Sequence, residues 1–243
     1  MNIKIEVTNP EEWKIHFPPA GGDKQWRDGY SALEFAKIVT DSYKGINFEQ
    51  LLRNELNIPD LSLLPGELYP ERLSTFDDDY HGPRHHDLAC IAETKGKRIA
   101  LCFEAKVYES LDKRLVKYVQ ESEGKLKRCQ ILCERFFKER YNDKFKDIYY
   151  QLLSSVAGTI AFAAENDIEE AAYFILFQIK PRKNNDCKNP SSKIQQHIKA
   201  LNDFLSFIPS SDKTEIKESG SIRDLGNIMT IERKKGEIGR AHV

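Results

Sequence analysis

The sequence predicts a mixed α/β domain, an α+β arrangement in which helices flank a mixed sheet. Three observations carry this. DLACIAET (87–94) and RIALCFEAKV (98–107) are apolar, strand-forming runs joined by a short turn containing Gly96, which is a hairpin pattern. AAYFILFQI (171–179) is a continuous apolar run of strand length, as expected of a strand buried on both faces. Between them, IYYQLLSSVAGTIAFAAE (148–165) reads as an apolar, central helix.

The remaining elements follow in order. Gly29-Tyr30-Ser31 precedes a helical pattern through Leu33, Ala36, Lys37 and Val39 that runs to Ser42, with Ser31 as N-cap and Glu34 completing a capping box. Residues 55–83 contain Pro59, Pro65, Gly66, Pro70, Gly82 and Pro83 and read as a long irregular connection. Residues 109–139 are charged with helical apolar spacing (Leu111, Leu115, Val119), and Gly124 is a candidate interruption. Asn189-Pro190-Ser191-Ser192 opens a last helix that ends near Phe207, with Ile194, Ile198, Leu201 and Leu205 on one face. After Pro209 the chain turns polar and is expected to be loosely held. This gives one domain over residues 1–208 and a tail over 209–236. The last seven residues, Glu237 to Val243, can be encoded by GAG-ATC-GGA-AGA-GCA-CAC-GTC, a string that reads as a sequencing adapter. They are expected to be non-native, with the true C-terminus missing, and His242 is set aside with them.

Composition narrows the class. The chain has 243 residues, 40% apolar and 31% charged, enough for one soluble globular core. It holds no apolar run near the roughly 18 residues of a membrane span. The N-terminus MNIKIEVTNPEEW has no apolar segment of the secretory kind, so a cytoplasmic location is expected. The five cysteines include no CxxC; Cys129 and Cys133 share a helix face, and all read as buried reduced thiols rather than a zinc site. A net charge of −1 gives no global nucleic-acid signature. Charge is uneven, however: Lys180 to Lys199 carries six Lys/Arg against Asp186 alone, which is either a phosphate-contacting stretch or a solvated loop and helix start. GxxxxGK[ST], GxGxxG and GxSxG are absent.

The hairpin raises the chemical question. With Lys95-Gly96 as the loop, paired positions sum to 191: Glu93 faces Arg98, Ala89 faces Cys102 and Asp87 faces Glu104. Alternation places Asp87, Glu104 and Lys106 on one face. Carboxylates about 4.5–5.5 Å apart repel unless something positive lies between them. A divalent cation meets that need with oxygen ligands, and Lys106 can reach a water or phosphate beside it. Ala89 and Cys102 are small and leave room.

Asp87 followed by Glu104-Ala105-Lys106 resembles the D…ExK core of the PD-(D/E)xK nuclease-like superfamily. GGDKQWRDGYSALEFAK, HHDLACIA, CFEAKVYES and YYQLLSSVAGTIAFA together are similar to a prokaryotic branch of it, over roughly residues 13 to 207. The resemblance implies a restriction-endonuclease-like αβββαβ core, with the first strand not identifiable before Pro83. It implies that Asp87 and Glu104 bind Mg²⁺ (Mn²⁺ as an alternative), with the Ala105 carbonyl as a third ligand. Lys106 then positions the attacking water and offsets charge on the phosphate. Glu34 matches a helix acid that many members add to the site; its other reading is a capping acid. Gln151 matches a Gln that faces metal or substrate, or is an ordinary polar helix-end residue. Glu109 is an outer support or an exposed acid near a helix start.

Other groupings compete. FDDDYHGPRHH (76–86) brings Asp77, Asp78, Asp79, His81, His85 and His86 close in sequence, as a metal site or a solvated acidic loop. By the same pairing sum His85 faces Lys106 and borders the site, where it could contact phosphate or share in proton transfer. Trp13, Trp26, Phe17 and Tyr30 read as packing aromatics, with base stacking as the alternative. Three functions follow. One is a Mg²⁺-dependent nuclease acting on DNA, in restriction, defence or repair, with a homodimer as a natural assembly. Another is a nuclease-like fold kept as a binding or accessory module with weak or no catalysis; a toxin or defence component is a third.

Overall fold

The computed structural model describes residues 7–42, 45, 47–77, 82–169, 171–179, 190–209, 228–232 and 238–242. Along the chain these form α1 (Pro10–His16), α2 (Ser31–Val39), α3 (Phe48–Glu55), β1 (Ser62–Ser74), β2 (Arg84–Thr94), β3 (Lys97–Lys106), α4 (Leu115–Tyr118), α5 (Glu123–Phe137), α6 (Tyr150–Glu165), β4 (Ala171–Gln178), α7 (Pro190–Ser206), β5 (Ile228–Glu232) and β6 (Ile238–His242).

The β2–β3 hairpin turns on Lys95 and Gly96, whose φ values of 51° and 71° are both left-handed. That pair matches the right-handed twist of the flanking strands. Pairing runs antiparallel from Thr94↔Lys97 to Leu88↔Phe103, in the register that sums to 191, and Glu93 faces Arg98. β4 joins β3 in parallel, with Glu104 beside Leu176 and Lys106 beside Gln178. The fold is thus mixed α+β, with a mixed sheet flanked by helices, and its strand order is β1-β2-β3-β4-β6-β5.

Alternation divides the sheet into two faces. Leu88, Cys90, Ala92, Ile99, Leu101, Phe103 and Ala105 pack against Trp13, Phe35, Phe48 and Leu52 of α1, α2 and α3. Phe35 is the hinge of that layer, with ring centroids 5.2 Å from Phe177 and 5.8 Å from Phe103. The other face carries small residues, Ala89, Ala100 and Cys102, beside Ile91, and α6 lies on it through Phe162 and Ala163. Short side chains let the helix axis approach closely. The remaining sides of α6 bury Leu152, Leu153, Val156 and Ile160 with α4, α5 and α7, so the helix is apolar all round because it is covered all round.

Several expectations are corrected. Residues 55–83 are not irregular throughout, since β1 spans thirteen of them. Pro65 and Gly66 fall where the β1–β2 register shifts between Leu63 and Leu68, and β1 is an outer strand. Both settings tolerate Pro. Helix α2 ends at Val39 rather than Ser42, with Asp41 left-handed at φ 54°. Its N-cap is Tyr30 rather than Ser31. Gly124 sits inside α5 without breaking it, because Ser122 caps the helix by accepting from the Lys125 amide at 3.2 Å. Apart from these corrections, β6 pairs with β4 at Ala172↔Ala241 and Tyr173↔His242, and β5 pairs with β6. Among the described residues, no helix is long and apolar enough to cross a membrane.

Candidate active site

Strand β3 delivers Glu104 and Lys106 two residues apart, and both are buried at 4% and 8% exposure. The ladder with β2 stops at Leu88↔Phe103. Beyond it, Asp87 no longer pairs through its backbone; its Oδ2 accepts from the Ala105 amide at 2.6 Å. A side-chain carboxylate therefore takes the hydrogen bond of a main-chain amide at the end of the hairpin, which fixes Asp87 beside the Glu104-Ala105-Lys106 segment.

Three donors converge on Glu104. Lys106 Nζ reaches Oε1 at 2.5 Å, and Gln151 Nε2 reaches the same oxygen at 2.7 Å. Arg84 Nη2, from the start of β2, donates to Oε2. Gln151 comes from the first turn of α6, and its own oxygen accepts from the Asp112 amide at 3.2 Å, which holds the amide in this orientation. The Glu104 carboxylate is therefore balanced by Arg84 and Lys106.

The electrostatics follow from burial and neighbours. Burial, then the adjacent Glu104 carboxylate, pushes the Asp87 carboxyl well above the usual range against the pull of Lys106. Burial acts the same way on Glu104, but Lys106 and Arg84 outweigh it and hold that carboxyl below its ordinary value. Burial would lower the Lys106 ammonium, yet Glu104 and Asp87 keep it above its ordinary value and charged. One acid ionised beside one resisting ionisation is the pattern expected of carboxylates that share a single site.

A second layer steadies this segment. Gln178 Nε2 donates to the carbonyls of Lys106 at 3.1 Å and Val107 at 2.5 Å. His197 of α7 lies 2.8 Å from Gln178 Oε1 and 2.8 Å from the Glu109 carbonyl. Glu109 is a structural clamp: Oε2 accepts from the Val107 and Tyr108 amides, and Oε1 accepts from Ser31 at 2.7 Å, the first amide of α2. That is a charged cap on a helix N-terminus. Glu109→Gln should lower the unfolding free energy by about 1 kcal/mol, the difference between a charged and a neutral acceptor; urea unfolding measures it.

The expected residues distribute as follows. Asp87, Glu104, Ala105, Lys106 and Gln151 are brought together by direct bonds. Glu34 is buried, but its carboxylate accepts from the Gly29 amide at 3.0 Å and from Lys37 Nζ at 3.2 Å, both local to α2. His85 pairs with Glu71 at 3.0 Å, and that bond raises its imidazole pKa. His86 is fully buried, and burial pushes its imidazole down to about 3, so it is neutral at physiological pH. Asp77 accepts from Arg128 Nε at 2.8 Å. The acidic, histidine-rich loop is thus dispersed where it is described; Asp78, Asp79 and His81 lie outside the described residues, as do residues 180–189 of the basic stretch and Cys187. Cys129 and Cys133 are free and buried with sulfurs 3.9 Å apart. Trp13 is core, in edge contact with Phe35. Arg84 was not foreseen; it precedes Asp87 by three residues, which strict alternation sends to the opposite face.

Among the described residues no three His, Cys, Asp or Glu side chains converge closely enough to hold a metal ion. The oxygens a hard cation would use are those of the Asp87 carboxyl, of Glu104, which Lys106, Gln151 and Arg84 hold in this structure, and of the Ala105 carbonyl. Such a hard-oxygen set suits an ion that keeps most of its waters, as Mg²⁺ does. A family described as Domain of unknown function (DUF6946) matches the chain over residues 6–224. The chain belongs to the DUF6946 family. That match spans α1 through α7, so every site residue named above lies within the DUF6946 region. No curated protein and no solved structure matches the chain significantly.

Proposed function

We propose that this chain is a divalent-cation-dependent nuclease of the PD-(D/E)xK type that hydrolyses phosphodiester bonds of DNA. The observation that carries the reading is the Glu104–Lys106 pair at 2.5 Å, with Asp87 bonded to the amide between them. The chain order α2, β1, β2, β3, α6, β4 supports the αβββαβ assignment. When bound, Mg²⁺ or Mn²⁺ activates water and neutralises phosphate charge. Asp87, Glu104 and the Ala105 carbonyl would hold it. Lys106 keeps its proton and stabilises negative charge where it develops. Gln151 orients the Glu104 carboxylate, and the Gln178–His197 pair restrains the carbonyl of Lys106.

The test is cleavage of linear duplex DNA by the purified chain. Cleavage is expected in Mg²⁺, is expected to be lost in EDTA, and should fall by about 100-fold or more in Lys106→Met, the usual cost of removing one charge-stabilising donor. Equal cleavage by wild type and Lys106→Met ends the proposal. A second reading, a binding module with little catalysis, has one observation in its favour: Arg84, Lys106 and Gln151 already occupy Glu104. It predicts DNA retention without cleavage in any divalent ion.

A further inference from the structure

Arg84 is the part of this site that neither the D…ExK pattern nor the strand alternation accounts for. Its guanidinium bonds Glu104 Oε2, and its side chain is 11% exposed. The stem is wedged between β2 and α6: a Cβ on Gly158 would stand 2.6 Å from Arg84 Cβ and 2.7 Å from Cγ. The stem is therefore fixed at its base, while the guanidinium reaches across to the Glu104 carboxylate that Lys106 also holds. Its Nε is buried and makes no hydrogen bond. Among the described residues, the guanidinium's hydrogen-bond acceptor is Glu104.

A carboxylate offers about four lone-pair positions, and three donors already fill most of those on Glu104. A divalent ion cannot bind Glu104 while a guanidinium sits on the same oxygen, since like charges at contact distance repel strongly in a site this enclosed. Lys106 and Gln151 share Oε1; Arg84 alone takes Oε2. Arg84 is also the donor whose fork fits a second type of anion, because guanidinium binds phosphate through two parallel N–H groups.

We propose, on the reading of Asp87 and Glu104 as cation ligands, that Arg84 is a resident counter-charge: it occupies Glu104 in the ion-free protein and moves its guanidinium onto a backbone phosphate of the nucleic acid when a divalent ion arrives. Arg84 thereby couples loading of the ion to engagement of the substrate phosphate. No bond is made or broken in this exchange; one ion pair replaces another.

The test uses the full chain and three proteins: wild type, Arg84→Met and Arg84→Lys. Isothermal titration with Mn²⁺ reads ion affinity, and fluorescence anisotropy of a short duplex oligonucleotide in Ca²⁺ reads phosphate engagement. Arg84→Met should bind Mn²⁺ at least about tenfold more tightly than wild type, because a competing cation is gone. It should bind the oligonucleotide at least about tenfold more weakly, because a phosphate fork is gone. Arg84→Lys keeps the charge without the fork; it should match wild type for Mn²⁺ and Arg84→Met for the oligonucleotide. If wild type binds Mn²⁺ and Arg84→Met binds it no more tightly, the counter-charge role is overturned while the cation reading of Asp87 and Glu104 stands. If neither protein binds Mn²⁺, the cation reading falls and takes this role with it. Should Arg84→Met fail to fold, the Arg84→Lys comparison decides: oligonucleotide affinity equal to wild type overturns the phosphate role.

Discussion

Glu104→Ala should abolish DNA cleavage and also lower the unfolding free energy by about 3–5 kcal/mol, the cost of breaking a buried ion pair from one side. The reason is asymmetry. Glu104 is the acceptor shared by Lys106, Arg84 and Gln151, and removing it leaves two cations and an amide in a pocket with little access to water. Lys106 would shed its proton or turn outward; Arg84 cannot lose its charge, and its stem is held by α6. Loss of cleavage alone therefore does not separate a chemical role from a structural one. The combined variant Glu104→Ala/Arg84→Met does so: if the two side chains interact as described, its loss of stability is smaller than the sum of the single losses. It should nevertheless remain inactive. Urea unfolding with Mg²⁺-dependent cleavage on the same preparations measures both. A Glu104→Ala protein as stable as wild type would mean that the three donors have other partners in solution.

How much of this could be read from the chain varied with how local the physics is. The hairpin register was legible because it is set locally, between Leu88 and Phe103: a Lys-Gly turn with two left-handed residues, a Glu93–Arg98 pair and strict alternation all agree. The same locality placed Glu104 and Lys106 on the small-residue face under α6. β1 was hidden because its Pro and Gly content reads as a connection, whereas an outer strand with a register shift accommodates them. Helix α1 begins with Asn9 accepting from the Glu12 amide at 2.9 Å and Pro10 in the first turn, and it is too short for apolar periodicity to announce it. Arg84 was illegible for a different reason. Its partner is twenty residues away, and its side of the strand is decided where pairing with β3 ends and Asp87 turns to the Ala105 amide. Glu109 shows the converse: an acid beside a motif attracts a chemical reading, yet its oxygens are committed to three main-chain amides.

Gly158→Ala should destabilise the protein by about 2–3 kcal/mol, as overpacking of a close interface does, although the same change in a free helix would stabilise it by about 0.5–1 kcal/mol. The sign reverses because of what lies opposite. An added Cβ would meet Arg84 Cβ at 2.6 Å, Arg84 Cγ at 2.7 Å and His86 Nε2 at 2.8 Å. Two of these atoms are near the β2 backbone, so rotation about a distal bond gives no relief; strand or helix must move. His86 is fully buried and neutral, so its ring cannot move aside without displacing its packed neighbours. Movement of α6 also displaces Gln151 in its first turn, and movement of β2 displaces Arg84, which loosens two of the three donors on Glu104 at once. Gly158→Ala should therefore lower the melting temperature by roughly 5–10 °C for a chain of this size and reduce cleavage even at temperatures where it stays folded. Adding Arg84→Gly removes both contacted carbons and should restore part of the lost stability. If Gly158→Ala instead melts at or above the wild-type temperature, α6 does not lie against β2 as closely as the Arg84 stem requires.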